Sequence, residues 1–196
     1  IFVSKFSYGY SKHSFPFSPP ILSGRIFQKK PQYGDLIVFK TPSDNRTDFI
    51  KRLIGLPGDE IQIIDGELFI NKEKIFKEKI EINLEIMCGK SKSEIFFYKE
   101  ILPNGTGYTA AYNKVGSTIN TDKYIVPDKH YFFLGDNRDC SRDSRFLSSV
   151  GYVHEDNLVG KAGMIFFSND TLKGSVLKFW NWKNSFRTSR FFKKLK

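Results

Sequence analysis

Cysteine is scarce in this chain, which has only Cys88 and Cys140. The two lie far apart and lack metal-ligand spacing, so neither a disulfide framework nor a zinc site is supported, although two cysteines can still pair. Apolar runs as long as a transmembrane helix are missing, no secretory leader pattern opens the sequence, and no internal repeat is visible. The chain begins abruptly at Ile1 on a strand-like stretch and reads as a fragment of something longer. Acidic residues are missing from Thr171 onward, where Lys173, Lys178, Lys183, Arg187, Arg190, Lys193, Lys194 and Lys196 stand uncompensated. These eight account for most of the formal net charge of +10 and leave +2 for the first 170 residues. That weakens a nucleic-acid-binding sheet surface, because the charge sits in a tail. The same tail carries Phe179, Trp180, Trp182, Phe186, Phe191 and Phe192, a mixture suited to the headgroup region of an anionic membrane surface. It equally suits an amphipathic segment packed on its own domain.

What is present describes a globular protein. At 196 residues, 40% hydrophobic and 27% charged, with 20 phenylalanines, the chain can build one sizeable domain or a core with an inserted lobe. Apolar positions recur with a period of two, which favours antiparallel sheet. Strands are expected at 36–39, 48–56, 60–64, 67–71, 94–99, 130–134 and 160–168. Leu56-Pro57-Gly58-Asp59 fits a type II turn and Asp65-Gly66 a hairpin turn. The segment 11–31, rich in Ser, Pro and Lys, reads as an exposed loop. The fold class is mostly β: an antiparallel sheet or barrel-like core (1–71 and 129–170), an inserted smaller β-rich lobe (72–128), and a basic aromatic tail (171–196).

Two stretches carry chemistry. In the strand from Asp48, side chains alternate, so Phe49, Lys51 and Leu53 share one face and Ile50, Arg52 and Ile54 the other. Desolvation among apolar neighbours disfavours an ammonium ion, and a lysine so placed can act as general base toward a hydroxyl. The plainer reading is an edge-strand lysine kept in water. The second stretch, Gly135 to Arg145, interleaves Asp136, Asp139 and Asp143 with Arg138, Arg142 and Arg145, and adds Ser141 and Ser144. Paired charges can make such a loop rigid, and its hydroxyls can orient an amine. A calcium loop requires oxygen ligands where Arg138 and Cys140 stand. An inert salt-bridged turn stays open.

Together these stretches resemble the signature boxes of the bacterial type I signal peptidases, or leader peptidases, which use a serine and lysine dyad. Ile1 to Gly9 is similar to the segment after the family's nucleophile, Gly34 to Phe39 to its next box, and Asp48 to Asp59 to its lysine box. Gly135 to Arg145, with Gly151 and Asn157 to Ala162, is similar to its last box. The resemblance implies Lys51 as general base and Ser141 as the hydroxyl that orients it. It further implies ion pairs of Asp143 with Arg145 and of Asp136 with Arg52, and a pocket lined by Phe49 and Ile50. Cys140 departs from the family's usual asparagine. The family's Ser-Met-x-Pro motif, with its nucleophile, is expected about ten residues before Ile1, after a membrane anchor. The implied substrates are signal peptides of exported preproteins. The implied location is the bacterial inner membrane, with the catalytic body on its periplasmic or outer face. No cofactor, metal or nucleic acid enters this reading. Its rivals are a self-cleaving repressor-type serine and lysine protease and a basic β-rich nucleic-acid-binding module.

Overall fold

The computed structural model describes residues 1–15, 24–81, 87–88, 91–92, 95–113, 120–166 and 190–195. In chain order its strands are β1 (Phe2–Ser4), β2 (Leu36–Lys40), β3 (Asp48–Gly55), β4 (Glu60–Ile64), β5 (Glu67–Ile70), β6 (Glu73–Lys74) and β7 (Phe76–Ile80). Then come the short β8 (Met87–Cys88) and β9 (Ser91–Lys92), followed by β10 (Ile95–Ile101), β11 (Gly107–Asn113) and β12 (Tyr124–Ile125). The last three are β13 (His130–Leu134), β14 (Val153–His154) and β15 (Leu158–Met164). The principal sheet has the order β1-β15-β2-β3-β13-β14; beside it stand β12-β4-β5-β6, β11-β10-β7 and the pair β8-β9. Paired strands run antiparallel, as the period of two implies. The mostly β, antiparallel fold class is borne out; among the described residues no sheet closes on itself, and the principal one ends on β1 and β14. Edge strands of three and two residues offer too few ladder bonds to close it.

Local chemistry sets the turns that follow β3 and β4. Asp65 and Gly66 both take positive φ (50° and 75°), the combination a two-residue hairpin between twisted strands requires. At Leu56–Asp59 the Asp59 N–H donates to the Leu56 carbonyl at 3.0 Å, and Gly58 supplies the φ of 89°. Where it is described, the segment 11–31 is mostly exposed, as expected. Ser11 and His13 are buried, because the Ser11 hydroxyl caps a 3-10 turn at Lys12–Ser14 by accepting the His13 N–H. Residues 16–23 lie outside the described set.

The principal sheet separates two apolar clusters, and β3 contributes to both. Leu53 packs with Ile37, Phe39, Tyr131, Phe133 and Leu158, with Phe49 partly buried against them; Phe39 and Phe133 stack with centroids 4.6 Å apart. Ile54 faces the other cluster, with Ile61, Ile70, Leu102, Tyr108 and Phe132 among its members. Each fully buried large side chain contributes about 1.5–3 kcal/mol. Strand alternation thus fixes β3 between two packed layers, and Leu102, Tyr108 and Ala110 from the 72–128 segment share a cluster with Phe132 and Leu134. Among the described residues no helix is long and apolar enough to cross a membrane.

Candidate active site

Lys51 sits in the middle of the sheet, opposite Ile37 of β2. Its Nζ donates to the Ser141 Oγ at 2.7 Å and lies 5.4 Å from the centre of the Phe49 ring. Burial is the main influence on its amine and pushes the pKa below the ordinary lysine value. The Asp143 carboxylate opposes this, Arg145 adds to it, and Asp136 opposes it. An amine that donates one N–H to Ser141 has its rotation fixed, and in the neutral form its lone pair is left for another proton.

The loop from Gly135 to Arg145 is held by charge-assisted bonds. Asp143 is fully buried; its carboxylate accepts from Arg145 Nε at 2.8 Å, Arg145 Nη2 at 2.9 Å and the Gly135 N–H at 3.0 Å. Arg52, next to Lys51 but on the opposite face, donates to Asp136 through Nε at 2.7 Å and Nη2 at 2.8 Å, and to the Gly34 carbonyl at 2.8 Å. Its guanidinium also lies over the Tyr108 ring. Asp139 accepts the Asn113 N–H at 2.7 Å. Ser144, the other hydroxyl the sequence offers, is fully buried and bonded to the backbone of Phe133, so it does not serve the lysine. Cys140 is disulfide-bonded.

Lys51 and Ser141 open into a cavity of about 300 Å³ whose apolar walls come from Ile1, Leu36, Ile50, Ile165 and Leu195. Ile50 is therefore at the wall. Phe49 is not among the lining residues; its ring packs toward Phe39, beside the amine. A larger cavity of about 520 Å³, lined by Lys30, Leu56, Tyr131 and Glu155 among others, includes neither Lys51 nor Ser141.

Three contributors escape sequence reasoning. Gly135 leaves room for Ser141: a Cβ there would stand 2.0 Å from its Oγ. Leu195 and Arg190 reach the cavity because 190–195 folds back along the end of β15, with Ile165 N–H donating to Lys193 and Leu195 N–H to Gly163, both at 2.9 Å. The Gly-Asp pair at 135–136 was a local signal for the first. The others depend on a long-range contact with no local signal. The remaining tail, 167–189 and 196, lies outside the described residues.

The chain matches the family described as signal peptidase, peptidase S26, over residues 1–167. It is 42% identical to signal peptidase I of Rickettsia typhi, in an alignment of 212 residues that spans all of this chain and 78% of that protein. Signal peptidase I of Rickettsia conorii is also 42% identical, over all of this chain and 77% of its own length. Among solved structures, a signal peptidase I from Enterococcus faecalis is 26% identical, covering 68% of this chain and 97% of that one with a TM-score of 0.39. The family match and the two Rickettsia relatives define the class, a serine endopeptidase. The chain belongs to the signal peptidase family, peptidase S26.

Proposed function

We propose that this chain is the catalytic body of a membrane-anchored signal peptidase I, and that it removes N-terminal signal peptides from exported preproteins with Lys51 as general base. The observation that carries the reading is the partly buried Lys51 amine, 2.7 Å from Ser141 Oγ and facing an apolar-walled cavity. A nucleophilic serine hydroxyl, contributed by sequence preceding Ile1, enters that cavity. Lys51 takes its proton as the oxygen attacks the scissile carbonyl carbon, and the resulting ammonium returns a proton to the departing amine. A water molecule, activated by the same amine, then releases the acyl group. Ser141 orients the base, the Asp143–Arg145 and Asp136–Arg52 pairs hold the loop, and Ile50 with its neighbours admits small apolar side chains.

Cleavage of an exported precursor by protein extended upstream of Ile1 tests these roles. Ser141→Ala is expected to slow it by about tenfold, the worth of one hydrogen bond that orients without reacting. A loss as complete as that of Lys51→Ala would instead make Ser141 the nucleophile, a reading its 2.7 Å contact with the amine would then support.

The proposal extends to location: the bacterial inner membrane, with the body on its periplasmic or outer face. Supporting this is a rim of exposed rings, with Phe2 against Phe166 (5.2 Å) and Phe166 against Phe192 (5.8 Å), next to the basic C-terminal segment. The chain is expected to sediment with vesicles rich in anionic lipid and to be partly released by salt, since each basic residue near such a surface contributes about 1 kcal/mol. Vesicle binding that a truncation after Ser168 leaves undiminished would take the tail out of this picture.

A further inference from the structure

The catalytic loop is gripped from a side that the mechanism does not use. Strand β11 pairs with β10 along one edge. Along the other it meets the loop: Ala111 N–H donates to the Asp136 carbonyl at 2.7 Å, Asn113 N–H to the Asp139 carboxylate at 2.7 Å, and Ala111 forms a parallel bridge with Asn137. Between these contacts Arg138 turns inward from the 3-10 turn Arg138–Cys140. Its Nη2 donates to Glu100 Oε2 and to Tyr108 OH, both at 2.6 Å, and its Nη1 to Tyr112 OH at 2.6 Å. Tyr108 OH donates onward to Glu100 Oε2 at 2.6 Å, and Tyr112 OH to Glu100 Oε1. Each tyrosine hydroxyl thus accepts from the arginine and donates to the carboxylate. Side chains of Arg138 and Glu100 are 2% and 1% exposed.

A buried ion pair adds little to stability over an apolar pair of similar volume, so stability alone is a weak reason for this one. A closed ring of directional bonds does impose one geometry, since a slide of the loop by an ångström stretches several of them together. The ring begins three residues before Ser141. Its far side is braced as well, because the Arg138 carbonyl accepts from Arg145 Nη2, the same guanidinium that holds Asp143.

We infer that Glu100, Tyr108, Tyr112 and Arg138 form a positioning element for the Lys51 site, locking the loop that carries Ser141 onto the β10–β11 hairpin. These are positioning residues, acting on the base through the loop. The inference rests on the proposed role of Lys51. The charged groups acting on that amine are Asp143, Arg145 and Asp136 of this loop, with Arg52 behind Asp136 and Arg190 at the cavity wall. Loosening the quartet therefore moves the Ser141 contact and three charges together, and admits water to the amine.

The experiment follows the Lys51 side chain by NMR across a pH titration of the 196-residue chain labelled with carbon-13 at lysine Cε, its signal identified by its loss in Lys51→Met. Glu100→Gln and the milder Tyr112→Phe are compared with Ser141→Ala and with Ile70→Val, a cavity-forming control in the apolar cluster that also holds Tyr108. The quartet variants are expected to raise the Lys51 midpoint toward that of the other lysines by about one pH unit, a tenfold change in proton affinity. Ile70→Val, at a comparable loss of melting temperature, is expected to leave it in place. If Tyr112→Phe and Glu100→Gln melt lower with an unmoved midpoint while Ser141→Ala shifts it, the quartet is merely structural and the base assignment stands. If Lys51 of the unaltered chain already titrates with the other lysines, the base assignment falls and this inference with it.

Discussion

Lys51→Ala is expected to lower precursor cleavage by roughly 10²- to 10⁴-fold, the span attributable to a lost general base, in protein that includes the sequence preceding Ile1. Lys51→Arg is expected to be as inactive, because a guanidinium keeps its proton at any accessible pH. Neither loss should come from unfolding. The folded-state pKa of Lys51 lies below its unfolded value, so between the two the unfolded chain binds more protons and stability rises with pH. Below that window the buried ammonium is a liability. Lys51→Met is therefore expected to melt at or above the parent temperature at pH 7, with the difference shrinking as the pH approaches that of ordinary lysine titration. Activity in the unaltered enzyme should rise with pH as the amine loses its proton. A Lys51→Ala protein that cleaved at the parent rate would remove the lysine from the mechanism.

The second large effect is on stability. Asp143→Ala removes the carboxylate from a pair whose side chains are 0% and 5% exposed, and leaves Arg145 charged and buried. It also strips the Gly135 N–H of its acceptor. Breaking one partner of a buried pair costs about 3–5 kcal/mol, which in a chain of this size lowers the melting temperature by roughly 10 °C. Cleavage should fall as well, because Ser141 is two residues away in the same loop. A thermal melt and a rate measured on one preparation separate this from Ser141→Ala, which is expected to slow the reaction with little loss of stability. Parent-like values of both for Asp143→Ala would dispose of the salt-bridged scaffold.

Much of the site was legible because its signals are local. The period of two from Asp48 to Gly55 put Phe49 and Leu53 on one face and Ile54 on the other, and they now lie in different clusters. Turn chemistry fixed Asp65-Gly66 and Leu56–Asp59 for the same reason. What could not be read depends on distant partners. The last strand begins at Leu158 rather than Gly160 because Leu158 pairs with Phe39 of β2. The loop's own residues do not separate Ser141 from Ser144; the family resemblance pointed to Ser141, and in the structure the β13 backbone takes Ser144. Glu100 lies in the segment read as the inserted lobe, and its burial depends on Arg138, 38 residues on, together with Tyr108 and Tyr112. The position of Leu195 beside Lys51 likewise follows from chain return rather than from any pattern within the tail.

The most direct test of Lys51 as a lysine base is its titration by carbon-13 NMR in the 196-residue chain, independent of substrate or nucleophile. The lysine Cε signal that vanishes in Lys51→Met is expected to titrate below the ordinary lysine value, as is that of the half-buried Lys77. A Lys51 signal that titrates near pH 10.4, the ordinary value, would contradict the account.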